Sequence, residues 1–469
     1  MHASTGDDEL RFPGLTDRVR TVLDTLRDAG HVAAVVGGAV RDRLLGLEHK
    51  GDWDVATSAR PEEVAALFAG SSWDNRFGTV TVKGRPSVEI TSFRTEGTYR
   101  DRRRPDEVRF GASLDEDLAR RDFTINAIAW VPVDLAAGIG RLVDPFDGRG
   151  DLEHRVLRAV REPGERFEED ALRLIRAARF AGRYTLDIDP PTEAALRTMA
   201  PTAVSVSAER VRDELIRILR DPTPSRALSV LERSGVLAAV LPEVASLRGV
   251  PQHKAMPGDA LDHTWRAVDA APADDLPARL AALVHDIGKA STFADGHFIG
   301  HERVGAEKAG TILARLRFPR AMASPVVDAV RHHMYAYDAS WTDAAIRRFI
   351  RRIGAGQLSL LFALRRADDA ASGIGEAGDR VQGDLERRIE LELAASPDVL
   401  VRAKLAIDGD DLQHELGIGP GPRIGAVMAC LLDAVLAEPG VNDRSSLLRL
   451  ARQLDDQAVT RRTAPEPDG

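Results

Sequence analysis

Residues Val35 to Thr57, VVGGAVRDRLLGLEHKGDWDVAT, decide how the rest of the chain is interpreted. The pair Gly37–Gly38 follows an apolar run and precedes a helical pattern, so it predicts a turn from a strand into a helix. Because glycine has no Cβ, the backbone at such a turn can approach a bound group closely. Arg41 falls in the first turn of the helix, where free N–H groups favour an anion. The pattern is therefore typical of a phosphate-binding turn.

A pair of carboxylates follows this turn. The segment Asp52-Trp53-Asp54-Val55 predicts a short strand, and residues two apart on a strand point to the same face. Two carboxylates on one face repel each other unless a cation lies between them, and beside a phosphate site they suit Mg²⁺. The stretch by itself equally allows a simple glycine turn with two solvated aspartates.

The composition excludes several classes of protein. A length of 469 residues suggests roughly two to four domains. The net charge of −9 and pI of about 5.8 argue against a non-specific coat for nucleic acid, although a local basic surface could still bind one. The only cysteine, Cys430, excludes a disulfide framework and fits a reducing compartment. The chain shows neither a signal-peptide pattern nor an apolar run of membrane-spanning length, so we expect a cytoplasmic protein.

The order of patterns predicts an α+β organisation. Strand and helix signals alternate over residues 13–150, which predicts a small mixed sheet with helices. Strand signals then fade, so residues 151–224 are predicted to form a helical neck and residues 225–458 a helical body. Residues 1–12 and 459–469 are predicted to be a disordered N-terminus and a flexible tail.

A hairpin in the first domain offers a third acid. The alternating segments Thr79–Val82 and Ser87–Phe93 predict two antiparallel strands. Glu89 points opposite to its apolar neighbours on the second strand, and is either a third metal ligand or an exposed charge at a sheet edge. The polar residues 94–110 then predict a long mobile loop, whose cluster Arg102–Arg104 could contact phosphates.

The next segment, ARRDFTINA, holds more polar candidates. Arg121, Asp122 and Asn126 follow the predicted loop directly. Together they supply hydrogen-bond donors and an acceptor that suit a phosphate and a ribose.

A stripe of charge marks the predicted neck. Asp170, Arg173, Arg176 and Arg179 are spaced three apart and would form one stripe on a helix, although such stripes are commonly just solvated faces. Cytosine and adenine both present an amino donor beside a ring-nitrogen acceptor. The acceptor Asp170 next to the donor Arg173 would select these two bases and reject uracil and guanine.

The second half repeats histidine and aspartate among apolar helices. Each histidine alone is typical of a satisfied core residue, but the recurrence predicts a divalent-metal site, because imidazole and carboxylate are its usual ligands. The neighbouring histidines at 301 and 333 belong to the same recurring pattern. The predicted ligands are His263, His285, Asp286, His332 and Asp368.

In combination these motifs resemble a known family. The ordered set GGAVRD…DWD, ARRDFTINA, DPFDG and EDALRLIRAARF resembles the class II tRNA nucleotidyltransferases (CCA-adding enzymes) and poly(A) polymerases of the polymerase-beta-like superfamily. The likeness covers residues 31 to 220, and the second half resembles the HD domain that some bacterial members carry. The resemblance implies a polymerase-beta-like nucleotidyltransferase head, a base-templating helical neck, and a helical body with an HD-type domain.

The resemblance also implies roles for individual residues. Asp52 and Asp54 would bind Mg²⁺, with Glu89 as the third catalytic carboxylate. The residues implied to contact the nucleotide are Gly37, Gly38, Arg41, Arg121, Asp122, Asn126, Asp170, Arg173, Arg176 and Arg179.

The implied activity is addition of C, C and A to tRNA 3′ ends from CTP and ATP, with the helical domains on the tRNA acceptor arm. The motifs do not separate full CCA addition from poly(A), CC-only or A-only addition. A rival interpretation makes the HD-type half the main enzyme, a metal phosphohydrolase with an RNA-binding head. A non-catalytic RNA-binding protein is a third alternative, disfavoured by the complete acidic triplet.

Overall fold

The computed structural model describes residues 9–49, 51–74, 78–96, 108–252, 254–400, 404–417 and 419–463. Its contacts divide the chain into two compact units. The first unit comprises Met1–Ser246 with Arg315–Arg317, and the second comprises Leu247–Ala314 with Phe318–Gly469.

A mixed sheet forms the centre of the first unit. Its strands are β1 (Glu9–Arg11), β2 (Ala33–Val36), β3 (Trp53–Thr57), β4 (Ser72–Asp74), β5 (Thr79–Val82), β6 (Val88–Ser92), β9 (Ala129–Asp134) and β10 (Ile139–Val143). Among the described residues they pair in the order β1-β10-β9-β2-β3-β6-β5-β4. Only β3 and β6 are parallel neighbours; the other pairs are antiparallel. The hairpin predicted from alternation at 79–93 is confirmed as β5 and β6.

Two short pairs of strands lie outside this sheet. Strands β7 (Arg94–Glu96) and β8 (Val108–Phe110) pair antiparallel, and β11 (Val156–Leu157) pairs in parallel with β12 (Asp187–Ile188). The prediction of a mobile loop over 94–110 is thus wrong at the two ends of this segment, which pair with each other. Residues 97–107, with Arg102–Arg104, lie outside the described residues.

The helices of the first unit follow from the apolar periodicity of their sequences. For example, Val19, Val22, Leu23 and Leu26 form the buried stripe of the first helix, as its spacing predicts. The helices are α1 (Asp17–Asp28), α2 (Gly38–Leu44), α3 (Pro61–Leu67), α4 (Leu114–Ala119), α5 (Gly148–Glu153), α6 (Pro163–Glu169), α7 (Leu172–Tyr184), α8 (Pro190–Met199), α9 (Ala208–Leu219), α10 (Pro224–Arg233), α11 (Val236–Val240) and α12 (Pro242–Ala245), with 3-10 turns at Thr124–Asn126 and Ala200–Ser205.

The predicted start of the body at residue 225 falls inside the first unit. Helix α10 packs against α7 at Gly182, where a Cβ would lie 2.6 Å from the main-chain nitrogen of Ala227. This close approach holds residues 224–246 with the neck. The contacts divide the chain after Ser246.

Both predicted disordered ends are partly ordered. Residues 9–11 form the edge strand β1 on β10, and Phe12 is buried against Trp53 and Trp130, so the prediction for residues 1–12 is wrong from residue 9 onward. Of the segment predicted to be a flexible tail from 459, residues 459–463 continue the last helix. Residues 1–8 and 464–469 lie outside the described residues.

The second unit is helical throughout its described part. Its helices are α13 (Ala260–Ala270), α14 (Leu276–Val284), α15 (Lys289–Thr292), α16 (His301–Arg315), α17 (Arg320–His332), α18 (Asp343–Ile353), α19 (Leu358–Ser372), α20 (Glu376–Ala395), α21 (Pro397–Leu400), α22 (Gly409–Leu416), α23 (Pro422–Ala437) and α24 (Arg444–Thr463), with 3-10 turns at Ala355–Gln357 and Pro439–Val441. Within the described ranges, every helix is too short or too polar to cross a membrane. The predicted α+β class, a mixed-sheet domain followed by helices, is confirmed.

Candidate active site

The glycine turn lies at the end of a buried strand. All four residues of β2 are buried, and the chain then turns at Gly37 (φ +68°, ψ −125°) into α2. A Cβ on Gly37 would lie 2.9 Å from Nη1 of Arg121 and 3.7 Å from Oδ2 of Asp54. The absence of that Cβ therefore lets a guanidinium and a carboxylate approach the turn together.

The three predicted acids lie on two adjacent strands. Asp54 and Glu89 are partners in the parallel register of β3 and β6, and Asp52 comes just before β3. Burial raises the pKa of Asp54, with Asp52 adding to the rise and Arg121 opposing it. Burial also raises the pKa of Glu89, and the charges of Asp54 and Asp52 raise it further. This mutual repulsion among oxygen donors fits a site for a divalent cation.

A cavity of 590 Å³ opens at these elements. Thr91, which shares a face of β6 with Glu89, lines the cavity. The other lining residues include almost the whole predicted set: Gly37, Gly38, Arg41, Asp52, Asp54, Arg121, Asp122, Asn126, Asp170, Arg173, Arg176 and Arg179. The structure therefore brings together residues that are up to 142 positions apart in the sequence.

Asp122 is bound on both of its oxygens. Arg176 donates to Oδ2 from Nε at 2.7 Å, and Asn126 donates to Oδ1 from Nδ2 at 2.9 Å. Burial alone would raise the pKa of Asp122, but the charge of Arg176 and the hydrogen bond from Asn126 outweigh it and lower the pKa to about 2. Asn126 in turn accepts from Nη1 of Arg41 at 2.5 Å. A continuous hydrogen-bond chain therefore joins the glycine-turn helix to α7.

Asp170 departs from the predicted helical stripe. Helix α6 ends at Glu169, Asp170 has extended backbone (φ −149°, ψ 102°), and α7 begins at Leu172. The prediction of one continuous helix through Asp170 is therefore wrong. Its carboxylate accepts from the Leu172 N–H at 3.1 Å and from both terminal nitrogens of Arg210 at 3.0 and 2.6 Å.

Hydrogen bonds to neighbouring residues fix the guanidinium of Arg173. It is buried, and it donates from Nη1 to the Arg166 carbonyl at 2.8 Å and from Nη2 to the Arg120 carbonyl at 2.9 Å. Glu169 accepts from the same guanidinium at 2.5 Å. These contacts fix the orientation of the guanidinium in the cavity wall.

Arg210 and Arg217 of α9, which sequence reasoning missed, also line the cavity. Glu214 is buried and accepts from Nε of Arg179 at 2.5 Å and from Arg217 at 2.6 Å. Arg210, the partner of Asp170, lies four residues earlier on the same helix. The i, i+4 spacing of these two charges on an amphipathic helix was the available signal.

An aromatic surface lies under the arginines. The Arg179 guanidinium is 4.1 Å from the centroid of the Phe180 ring, and that of Arg41 is 4.4 Å from the Tyr184 ring. Such stacking keeps the guanidinium planes in place while leaving their edges for anions.

A second polar cluster lies in the second unit. Nε2 of His263 is 3.3 Å from Nε2 of His285, which is 3.1 Å from Oδ2 of Asp286. On the other side of Asp286, Oδ1 lies 3.5 Å from Nε2 of His301 and 3.9 Å from Nε2 of His333. These residues form two overlapping triads of possible metal ligands that share Asp286.

Of the two adjacent histidines at the end of α17, the structure brings His333 into the cluster and not the predicted His332. His333, at the C-terminal end of α17, is the buried histidine that faces Asp286, whereas the neighbouring side chain at 332 is only partly buried and lies outside both triads. Burial lowers the pKa of His333 to about 3. The Nε2 atoms of His301 and His333 have no hydrogen-bond partner and lie near the same oxygen of Asp286, so these three groups could be ligands of one metal ion.

Two lysines neutralise the carboxylates of this cluster. Nζ of Lys254 lies 2.8 Å from Oδ1 of Asp368 and 2.9 Å from Nε2 of His263, and Nζ of Lys289 lies 2.6 Å from Oδ2 of Asp286. Burial by itself raises the pKa of Asp286, but the charges of His285 and Lys289 hold it well below its usual range. Asp368 thus contacts the cluster through Lys254 and His263, although it belongs to neither triad, and its role as a metal ligand stays a prediction.

Comparison with known proteins agrees with this geometry. The family model of the poly A polymerase head domain matches residues 33–158. The model of a probable RNA and SrmB-binding site of polymerase A matches residues 185–247, and the model of the HD domain matches residues 260–372. The A-adding tRNA nucleotidyltransferase of Deinococcus radiodurans is 37% identical over 438 residues, which cover 87% of this chain and 92% of that protein. The CCA-adding enzyme of Levilactobacillus brevis is 33% identical over 439 residues, covering 93% and 98%. The chain belongs to the family of tRNA nucleotidyltransferases and poly(A) polymerases.

A solved structure extends the likeness to this family. The crystal structure of the Bacillus stearothermophilus CCA-adding enzyme in complex with CTP is 27% identical, with a TM-score of 0.70, and the match covers 96% of this chain and 100% of that one. The resemblance inferred from the motifs is confirmed, as is the enzyme class. Nucleotidyltransferases of this family use a divalent metal ion, and the carboxylates of β3 and β6 are suitable donors for it.

Proposed function

We propose that this protein adds C, C and A to the 3′ end of tRNA, taking the nucleotides from CTP and ATP. The observation that carries the proposal is the shared cavity, which places a glycine turn, an acidic strand pair and an arginine-rich helix around one space. The relatives named above support it, since they are CCA-adding or A-adding enzymes.

Each part of the cavity has a task in this proposal. The turn at Gly37–Gly38 and the guanidinium of Arg41 receive the triphosphate. Arg176 and Arg179 lie beside it, each neutralised by a buried acid and stacked on Phe180. The aromatic support and the buried acids keep these guanidinium groups oriented before the nucleotide arrives, which is the preorganisation that phosphoryl transfer requires.

Asp52 and Asp54, with Glu89 as a third acid, would hold Mg²⁺. Bound there, Mg²⁺ would supply charge neutralisation for the triphosphate and a lowered pKa for the tRNA 3′-hydroxyl. The residues' own contribution is to hold oxygen donors together in a buried place, where burial, with their mutual repulsion added to it, raises the pKa of Asp54 and Glu89.

Base choice is assigned to Asp170 and Arg173. A carboxylate has about four lone-pair positions, and in Asp170 the Leu172 N–H and the Arg210 fork occupy three of them. One position on Oδ2 is left to accept from the exocyclic amino group that cytosine and adenine share. Arg173, fixed by its carbonyl contacts, would donate to the neighbouring ring nitrogen.

In the decisive experiment, the purified protein is incubated with tRNAs that end before, within and after the CC sequence. Each tRNA is given one nucleoside triphosphate at a time, and the products are sequenced. CCA addition predicts C, then C, then A, and then termination. Addition of A only to a tRNA already ending in CC would identify an A-adding enzyme like the Deinococcus relative, and continued A addition would identify a poly(A) polymerase.

Variants test the assigned residues in the same assay. Asp52→Ala and Asp54→Ala should abolish transfer, whereas Asp24→Ala on the exposed side of α1 should not. Substantial activity in either acidic variant would refute the metal assignment. Asp170→Ala should admit UTP, and unchanged rejection of UTP would refute the assigned base reading.

We also propose that the cluster around Asp286 binds a divalent metal ion. The unpartnered Nε2 atoms of His301 and His333 favour this second site. Metal analysis of the purified protein tests the binding, and Asp286→Ala should remove the metal while CCA addition persists. Loss of CCA addition without unfolding would refute the independence of this metal site from nucleotidyl transfer.

The remaining assignments complete the proposal. The tRNA acceptor arm is the partner. Because the protein has a net charge of −9, tRNA binding depends on a local basic surface and should weaken steeply with salt. The cytoplasm is the proposed compartment, in keeping with the substrate. The head, neck and body boundaries near 150 and 224 remain predictions of the sequence motifs.

A further inference from the structure

His49 connects the two chemical parts of the cavity, and none of the motifs singled it out. Its Nδ1 lies 2.8 Å from Oδ2 of Asp42, and its Nε2 lies 3.0 Å from the main-chain carbonyl of Asp52. A main-chain carbonyl can only accept a hydrogen bond, and the same is true of an ionised carboxylate. Both ring nitrogens of His49 therefore donate. The imidazole thus joins the helix of the glycine turn to the residue that carries one of the proposed metal ligands.

Asp42 is a well-anchored partner for this contact. Arg41 donates to its Oδ1 from Nε at 3.2 Å and from Nη2 at 2.9 Å, and the Tyr184 hydroxyl donates to the same oxygen at 3.1 Å. Asp42 is buried. The carboxylate that receives His49 is therefore fixed by α2 and by the end of α7.

The ring itself is tightly enclosed. It packs edge-to-face on Trp53 with centroids 5.4 Å apart, and its side chain is 12% exposed. A Cβ on Gly51 would lie 3.2 Å from its Cε1, and one on Gly38 would lie 3.8 Å from the same atom. The imidazole is thus held between the phosphate-binding turn and the loop that leads into β3.

Asp52 needs such support more than Asp54 does. The paired register of β3 with β6 begins at Trp53, so Asp54 is fixed by the sheet, whereas Asp52 precedes the first paired residue. The hydrogen bond from His49 is the contact that holds the Asp52 carbonyl. The orientation of the first acid relative to the second therefore depends on a side chain outside the sheet.

We infer that His49 is a positioning residue for nucleotidyl transfer, which sets the Asp52 carboxylate against the glycine turn by holding the Asp52 main chain. The inference rests on the proposed function of the cavity. Residues that orient metal ligands typically affect metal affinity or activity by about 10- to 100-fold. Since His49 has no role in receiving the base or the sugar, its effect should fall on kcat and not on KM for CTP.

The test compares His49→Ala and His49→Gln with the natural protein and with His154→Ala. His154 is an exposed imidazole of the same unit whose Nδ1 contacts the Gly150 carbonyl. We expect His49→Ala to lower kcat by about 10- to 100-fold with KM for CTP unchanged within about twofold. The glutamine amide can still donate to one acceptor, so His49→Gln should recover part of kcat, and His154→Ala should match the natural protein.

A second readout does not depend on turnover. Hydrogen exchange measured by mass spectrometry should become faster in the peptide that spans Gly51–Trp53 in His49→Ala, by more than in peptides from the rest of the first unit. Unchanged kcat in a folded His49→Ala, an equal rise in KM, or unchanged exchange at Gly51–Trp53 would overturn the inference. If His49→Ala does not fold, the same outcomes in His49→Gln decide. A natural protein that transfers no nucleotide would instead refute the proposed function, and the exchange measurement would still test the contact.

Discussion

The buried carboxylate of Asp122 offers a quantitative test of how the cavity wall is held together. Its pKa is lowered from 3.8 to about 2 by Arg176 and Asn126 against the opposing effect of burial. A difference of nearly two units corresponds to about 2.5 kcal/mol in favour of the ionised form in the folded state. Because the folded pKa is depressed, this stability is fully present above pH 4 and is lost as the pH falls towards 2. Asp122→Asn should therefore lower the free energy of unfolding of the first unit by about 2 kcal/mol at pH 7.

Two compact units need not unfold together, so the assay should report on the first unit alone. Hydrogen exchange of peptides from α7, measured by mass spectrometry over a urea series, gives the unfolding free energy where Arg176 lies. The matched control is Asp24→Asn, an exposed position on α1 where a change within about 0.5 kcal/mol is expected.

The pH dependence of the destabilisation distinguishes loss of the ion pair from a change in side-chain packing. The difference between the natural protein and Asp122→Asn should stay constant from pH 7 to pH 5 and shrink below pH 4. A penalty under about 0.5 kcal/mol at pH 7, or one that persists unchanged at pH 3, would show that the ion pair with Arg176 does not stabilise the wall.

Three further perturbations follow from contacts already described. Glu214→Gln leaves the buried Arg179 without its carboxylate and should destabilise the first unit by about 3 kcal/mol, measured by the same exchange method. Lys254→Met removes an ammonium from the histidine cluster and should tighten Mn²⁺ binding about tenfold or more, measured by titration calorimetry. Gly37→Ala forces a side chain into left-handed backbone at a cost of about 1–3 kcal/mol and towards Arg121, so it should lower the melting temperature and raise KM for CTP.

Each of these outcomes has a matched comparison. Glu193→Gln removes a carboxylate of an exposed pair on α8 and should leave stability unchanged, so an equal loss would contradict the role of burial at Glu214. Lys308→Met removes an exposed ammonium of the second unit, and equal Mn²⁺ affinities in the two lysine variants would refute competition by Lys254. Gly14→Ala, where a Cβ meets nothing within 4 Å, should leave KM for CTP unchanged.

Sequence reasoning was most informative where structure is set locally. The glycine turn, the strand that carries Asp54 and the hairpin with Glu89 follow from short-range patterns of two-residue alternation and turn chemistry. The parallel register that brings Asp54 and Glu89 side by side was not visible, because it depends on how β6 enters a sheet formed by distant strands.

Sequence reasoning failed where long-range packing decides the local conformation. The run from Glu169 through Arg179 has uninterrupted helical propensity, yet the helix breaks at Asp170, whose carboxylate pairs with Arg210 from α9. The choice between His332 and His333 was likewise undetermined, since adjacent positions on a helix differ by about 100° and only the packing of α17 shows which one is buried.

The parallel pairing of β3 with β6 has a consequence for insertions and deletions. Glu89 stays in register with Asp54 on one face of the sheet only while the turn between β5 and β6 keeps its length, because a slip of one residue turns every side chain of a strand to the other face. Deleting one residue between Lys83 and Ser87 would turn Glu89 away from Asp54 and bring Val88 or Ile90 to its face, whereas a change of two residues would restore the original face. The length of this surface turn therefore decides whether the proposed third acid lies beside the first two.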